Sequence, residues 1–303
     1  MDPRPDDVLI DAHQHFWDLE ANPYPWLQGE TVPAFRYGDY SALRRSYLPA
    51  DFERDTRRHS PVATVHVEAE WDRADPVAES RWLTRLAQTH GRPSVIVAHA
   101  ALDRGDVEEV LAAQAAFALV RGIRHKPVTA AAQSDARRGL AGSMDDPRWR
   151  SGYALLQRHG LSFDLQAPWW NLDQAAELAR DFPRTTLILN HTGLPVDRSA
   201  AGLRGWRAAM ESLAAQPNTA VKISGLGRLA RPWTQADNLP VMRDAIAIFG
   251  PSRCMFASNF PVDSLVADYT TLLEGFKAAI AQRPDAERRA LLHDNALRYY
   301  RIG

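Results

Sequence analysis

Val8-Leu9-Ile10-Asp11-Ala12-His13-Gln14-His15-Phe16 is an apolar run that ends on two histidines one residue apart. Period-two alternation puts Asp11, His13 and His15 on one face of an extended chain, so two imidazoles point the same way at a strand's end. Outward from this stretch the design repeats. Short apolar, β-branched runs cover 63–70, 94–102, 120–127, 162–168, 185–193, 220–227 and 254–262, which with 8–16 makes eight. Most stay apolar until their last residues, as parallel strands covered on both faces do. Helices are expected over 76–90, 106–119, 146–159, 172–182, 202–215, 239–249, 264–282 and 285–300. His-Gly at 90–91 and 159–160 is a glycine C-cap signal, after which the next strand starts within a few residues. Eight right-handed strand–helix units close most naturally into a distorted (β/α)8 TIM barrel, whose catalytic groups stand at the C-terminal ends of the strands. The pattern also admits an open doubly wound sheet. No repeat or linker divides the chain, so a single domain over 1–303 is expected.

The balance of 36 basic against 37 acidic residues leaves a net charge of -1, with no global field to draw nucleic acid or anionic lipid. With 45% hydrophobic and 24% charged residues the composition is that of an ordinary globule, and a small-molecule partner is expected. The N-terminal residues show neither a signal-peptide core nor a membrane span, so no membrane partner and a cytoplasmic location are the simplest expectation. Assembly into a homo-oligomer stays open. A single cysteine, Cys254, sits at the start of an apolar run and is expected as a buried core thiol; any metal must use nitrogen and oxygen ligands.

The segment 17–61 exceeds a usual loop and is rich in rings: Trp17, Tyr24, Trp26, Phe35, Tyr37, Tyr40 and Tyr47. An aromatic insertion after the first strand, at the catalytic face of a barrel, reads as a wall or lid of the substrate pocket. The alternative is that these rings only pack the segment onto the rim.

Further along, Leu187-Ile188-Leu189-Asn190-His191 again finishes an apolar run in histidine. In a closed barrel His13, His15 and His191 converge, supplying three nitrogen donors for Zn²⁺ or another divalent ion, or polarising a substrate carbonyl without one. In 64–70 His66, Glu68 and Glu70 alternate against valines and alanine, so polar groups of a buried strand need partners in the cavity. Glu68 and Glu70 then either accept from substrate hydroxyls and orient the histidines, or form a structural ion pair with Arg124 or Lys126. These two cations share a face of the fourth run and suit a carboxylate or an oxyanion, while His125 takes the other face. Trp169 and Trp170 follow the fifth run, placed to stack on a sugar ring or to pack under the rim.

Taken together, His13-Gln14-His15-Phe16-Trp17-Asp18, Tyr24-Pro25-Trp26-Leu27, Gly122-Ile123-Arg124-His125, Asn190-His191-Thr192-Gly193, Val221-Lys222-Ile223-Ser224-Gly225-Leu226 and Ser258-Asn259-Phe260-Pro261 resemble the amidohydrolase-2 family, and within it the sugar-lactone and related lactone hydrolases. The resemblance implies hydrolysis of a small sugar-acid or related carboxylated lactone, with carbohydrate metabolism as its setting. It matches His13, His15 and His191 to the family's site histidines; with the strand readings above, His13, His15, His191, Arg124 and Asn259 are expected in catalysis and Glu68, Glu70, Lys126, Trp169 and Trp170 around the substrate. It also implies one divalent metal, zinc first, on the three histidines, or a metal-independent variant. Asn259 stands where many relatives carry aspartate; an amide is no base and a poor ligand. Asp263 is a substitute base or, more simply, a surface or helix-capping residue. A zinc-dependent non-oxidative decarboxylase of the same superfamily and a catalytically silent binding protein are the alternatives.

Overall fold

A computed structural model describes residues 8–30 and 34–303. Eight parallel strands lie in one sheet in the order of the chain: β1 (Ile10–Gln14), β2 (Ala63–Val67), β3 (Val95–His99), β4 (Val120–Arg124), β5 (Ser162–Leu165), β6 (Leu187–Leu189), β7 (Thr219–Ile223) and β8 (Cys254–Phe256). Between β1 and β8 the barrel closes just beyond the strand ends. Asn259 N donates to His13 O at 2.7 Å and His15 N to Phe260 O at 2.7 Å, with Gln14 bridged in parallel to Phe260. This closure seats the end of the eighth run beside the first-strand histidines.

Helices alternate with the strands: α1 (Pro25–Gln28) and α2 (Pro49–Thr56) in the insertion, then α3 (Pro76–His90), α4 (Val107–Ala115), α5 (Pro147–Leu155), α6 (Leu172–Asp181), α7 (Ala200–Ala214), α8 (Gln235–Phe249), α9 (Tyr269–Ile280), α10 (Asp285–Arg289) and α11 (Asn295–Tyr299). α3 shows how sharply local chemistry bounds them. Pro76 opens its first turn, the Asp75 carboxylate accepts from Ala78 N at 3.2 Å, and Gly91 ends it in the left-handed region at φ 69. Among the described residues no helix is long and apolar enough to cross a membrane.

Inside the barrel, Ile10, Ala12, Val65, Val67, Val97 and Met255 pack in layers, with Tyr300 after α11 beneath them. Cys254 is buried on the helix side, as expected of a core thiol. The strands are shorter than the apolar runs. In the sixth and eighth only three residues are sheet, and the chain then turns sharply at the polar residues. His191, Thr192 and Asn259, with Glu70 past β2, hold positive φ between 54 and 61 although none is glycine. Such strain gathers where surrounding structure imposes a geometry that function needs.

Two readings of alternation are corrected. Ile10 and Ala12 face the interior, so Asp11 points the other way and accepts from Ser258 N at 2.9 Å and from Tyr269 Oη of α9 at 3.2 Å. The β1–β2 register slips between Asp11 and Gln14, and that irregularity brings His13 and His15 to the inner side. In β2 the inward residues are Val65 and Val67; His66 turns outward, accepts from Phe16 N at 3.1 Å and approaches Glu79 of α3 at 3.6 Å.

Candidate active site

Three imidazoles meet above the barrel interior. The Nε2 atoms of His13 and His15 are 3.2 Å apart, and the His13 and His191 ring centroids are 4.6 Å apart. His15 Nδ1 donates to Val67 O at 2.7 Å, which leaves the Nε2 of a neutral ring as an acceptor. That nitrogen faces Asn259 Oδ1 at 3.2 Å, while Asn259 Nδ2 donates to Asp263 Oδ1 at 2.6 Å and so fixes which end of the amide turns inward. His191 Nδ1 pairs with Ser224 Oγ at 3.0 Å. Its turn is clamped by Trp206 of α7, whose Nε1 donates to Thr192 O at 2.8 Å.

All three histidines are held well below the usual imidazole range. Burial is the largest cause in each, followed by the charge of Lys222 for His13, of Arg124 for His15 and of Arg36 for His191. Each ring is therefore neutral at pH 7 and keeps one nitrogen lone pair. Beneath them Lys222 is fully buried, 3.5 Å from His13 Nδ1, and paired with Asp164 at 2.5 Å. Asp164 is braced in turn by Asn190 Nδ2 at 2.8 Å and Tyr300 Oη at 3.0 Å. Burial lowers Lys222 to about 8, its Asp164 partner opposing the drop.

A cavity of about 350 Å³ opens over the histidines. His15, His191, Asn259, Arg124, Glu70 and Lys126 line it, so the tops of five strands contribute, as at the catalytic face of a barrel. Arg124 Nε donates to Glu68 Oε1 at 2.7 Å, its Nη2 to Glu68 O, and its Nη1 to Gln166 at 3.3 Å. Lys126 pairs with Glu70. Of the two readings for the acidic pair, the ion pairs are what the geometry displays, although Glu70 lines the cavity as well. His125 takes the outer face, where its Nδ1 accepts from Leu102 N and Trp149 Nε1, both at 3.0 Å.

The insertion supplies a wall. Trp17, Trp26, Phe35 and Arg36 line the cavity, while Tyr24, Tyr40 and Tyr47 are buried and pack the segment to the rim, so both readings of the rings hold for different members. Trp169 and Trp170 do not line the cavity. Trp169 is buried against Gly205 of α7 and Trp170 Nε1 donates to Ala130 O at 3.0 Å, so the sugar-stacking expectation gives way to rim packing.

Asp263 also departs from expectation. It is 1% exposed, and the α9 cap is Asp268. The Asp263 carboxylate accepts from Tyr37 Oη at 2.9 Å, Gly225 N at 3.2 Å and Arg36 Nη2 at 3.4 Å besides Asn259. It ties the insertion, β7 and the eighth run to one point. Sequence reasoning passed over Asp164, Gln166 and Arg36, and left Lys222 and Ser224 unselected. The available signal was period two within buried strands, Ser162-Asp164-Gln166 and Ala220-Lys222-Ser224, where polar side chains share the inward face. Arg36 had no such signal, because it comes from the insertion.

Among the described residues no group of three His, Cys, Asp or Glu side chains is placed to hold a metal ion. The three histidines are thus not placed as one ligand set, and the donor atoms that stand at ligand spacing are those of His13, His15 and the Asn259 amide. These fit a cation: two ligand nitrogens on a tetrahedral zinc lie roughly 3.3 Å apart, against the 3.2 Å found between the two Nε2 atoms. His15 Nε2 and Asn259 Oδ1, both acceptors, face each other across a distance that a proton or metal ion bridges. His15 also has the carbonyl partner on its far nitrogen that orients a ligating imidazole.

A family model described as Amidohydrolase matches residues 10–302. A protein of Sinorhizobium fredii, itself described as uncharacterized, is 41% identical over 98% of this chain and 99% of its own. A Burkholderia multivorans protein named L-fucono-1,5-lactonase is 30% identical over 97% of this chain and 96% of its own. The crystal structure of a Burkholderia multivorans amidohydrolase with bound zinc matches with a TM-score of 0.80 at 28% identity, covering 98% of this chain and all of that one, 100%.

Proposed function

We propose a reaction that proceeds from one fact: this chain belongs to the amidohydrolase family. The reaction is hydrolysis of a small lactone, of the sugar-acid or a related type, by water attack on the ring ester carbonyl. The observation that carries it is that His15 and His191 line one cavity with Arg124 and Asn259, while the buried His13 ring touches both from beneath. Full-length kinship to a protein named as a lactonase supports the ester over other substrates.

His191 is neutral, and in the tautomer whose Nδ1–H donates to Ser224 Oγ its Nε2 is the acceptor that takes a proton from water. As the water oxygen bonds to the carbonyl carbon, charge grows on the carbonyl oxygen, where the Arg124 guanidinium, held rigid by Glu68, counters it. The ring carbon–oxygen bond then breaks and His191 returns its proton to the departing alkoxide, giving a hydroxy acid. Trp17, Trp26 and Phe35 limit water around the reacting centre. A divalent ion on His13, His15 and Asn259 would add Lewis acidity toward the carbonyl and the attacking water.

A pH-indicator screen of aldonic, uronic and related lactones, with and without chelator, tests the proposal. Turnover of at least one lactone is expected, falling about 10²–10⁴-fold in His191→Ala and strongly in His13→Ala, with both variants folded. Unchanged turnover in either variant would reject the assignment. Release of CO₂ from an aromatic acid without lactone hydrolysis would favour the decarboxylase.

A further inference from the structure

Charge is unevenly cancelled in the cavity. Its lining carries three cations, Arg36, Arg124 and Lys126, and one carboxylate, Glu70. Arg124 is matched by Glu68 at 2.7 Å, and Lys126 by Glu70. Arg36 is held differently. Its nearest carboxylate oxygen, Asp263 Oδ1, is 3.4 Å away and already accepts from Asn259 at 2.6 Å and Tyr37 at 2.9 Å. Arg36 Nη1 is buried and has no hydrogen-bond partner among the described residues. Burying such a donor unsatisfied costs about 1–3 kcal/mol, more for a charged group, so an acceptor supplied from outside the protein is favoured. The guanidinium lies over the Tyr37 ring, 4.5 Å from its centroid, which stiffens the side chain without consuming its N–H groups.

We propose that Arg36 is the specificity residue of this cavity and that the substrate carries a carboxylate in addition to its lactone ring, bound by the Arg36 guanidinium. The inference rests on the lactonase reading and deepens it. Charge supports this assignment over a hydroxyl partner: a guanidinium whose charge is only distantly matched gains more from an anion, through a charge-assisted pair, than from a neutral acceptor. Origin supports it too, since Arg36 comes from the insertion wall and not from a strand end, so it meets the substrate's periphery instead of the reacting bond.

The test compares two ring lactones identical except that one bears a free carboxylate and the other the corresponding carboxamide. Wild-type enzyme prefers the carboxylate in kcat/KM, and in Arg36→Gln the preference ratio collapses by roughly 10- to 100-fold, the loss of one charged hydrogen-bonding partner. Arg36→Lys, which keeps the charge but not the fork, retains part of the ratio. A ratio unchanged in Arg36→Gln while both rates fall together would place Arg36 on the shared carbonyl and overturn the proposal. A separate binding readout distinguishes this from failure of the lactonase reading. Tetrahydrofuran-2-carboxylate, which cannot be hydrolysed, is expected to raise the Tm of the wild type and not of Arg36→Gln, while tetrahydrofuran-2-carboxamide raises neither. Equal stabilisation of wild type and Arg36→Gln by the carboxylate, or none of either, defeats the proposal whether or not any lactone is turned over.

Discussion

Gly225→Ala tests the placement of His191 without touching its chemistry. Gly225 has φ +63, and a Cβ built there would stand 2.5 Å from His191 Cβ, 2.7 Å from Cγ and 2.9 Å from Nδ1. Ordinary contact begins at 3.4 Å, so relief requires 3.4 − 2.5, or 0.9 Å, of relative movement. The imidazole cannot give way freely, because Ser224 and the four successive left-handed residues from His191 to Leu194 hold its backbone and ring. The left-handed alanine costs about 1–2 kcal/mol and overpacking a further 1–3 kcal/mol. Together these are worth roughly 5–10 °C in Tm for a chain of this size. A displacement near 1 Å at a reacting group costs about 10²-fold in rate. Gly160→Ala provides the control: its φ is also +63, but nothing lies within 4 Å of the new Cβ, so it shares the backbone penalty alone. Differential scanning fluorimetry and kcat/KM on the lactone found by screening are the assays. The expected pattern is a modest Tm loss with full activity for Gly160→Ala, and a larger Tm loss with a hundredfold rate loss for Gly225→Ala. Folded Gly225→Ala with wild-type kcat/KM would show that His191 does not act where its position implies.

Glu79 gives a prediction in pH. Burial first, then the Glu68 charge, push its carboxyl up to about 8, while Ala69 N at 2.9 Å opposes this. A folded pKa above the unfolded one means the native state binds the extra proton. Stability from this group is therefore complete below about 4.5 and is lost as pH rises through about 8. Glu79→Gln should flatten the fall in unfolding free energy, read by urea titration, between pH 5.5 and 8.5 by about 1–3 kcal/mol; parallel falls in the two proteins would refute the assignment. Asp263→Asn replaces an acceptor of four donors with a group that must turn an N–H toward one of them. It should cost about 1.5–3 kcal/mol by urea titration and lower kcat by freeing the Asn259 amide to rotate; unaltered kcat would remove Asp263 from the positioning of Asn259. Where a divalent ion binds to His13, His15 and Asn259, dialysis against chelator should remove it more easily than from an all-histidine site, because the third donor is a neutral amide oxygen. Zinc retained through dialysis that strips a two-histidine control peptide would contradict that ligand set.

How much of this was legible in the sequence follows from what periodicity can carry. Eight buried parallel strands each bring an apolar run, and α3 was bounded to the residue, because proline, aspartate and glycine act locally. The meeting of His13, His15 and His191 was legible for the same reason: each ends an apolar run, and barrel closure does the rest. Face assignments failed where the backbone left ideal geometry. At β1 the register slip reversed the side taken by Asp11 relative to His13, and no alternation rule foresees an irregularity imposed by the neighbouring strand. Residues supplied from outside the strands were hidden for another reason. Arg36 and Tyr37 reach the site only because the insertion folds over the rim, and Asp263 was read as a cap because local sequence cannot show that three of its four donors come from two distant segments.

That distribution bears on how the site keeps its shape. The atoms that would do the chemistry sit at the ends of β1, β6 and β8, but the atoms fixing their orientation come from elsewhere. Val67 sets the His15 tautomer, Ser224 sets His191, and Asp263 sets the Asn259 amide. The positive φ angles at His191 and Asn259 are tolerable only while these partners remain in place. An amide oriented by a buried carboxylate presents the same oxygen toward His15 that an aspartate would present, without the negative charge. Replacing Asn259 by Asp therefore sets two carboxylates against each other across the 2.6 Å now spanned by a hydrogen bond. One of the pair must then hold a proton. In this scaffold the amide at Asn259 is thus coupled to Asp263, and Asn259→Asp alone is expected to lower stability unless Asp263 is changed with it, as paired denaturation curves of Asn259→Asp and the double variant Asn259→Asp with Asp263→Asn will show.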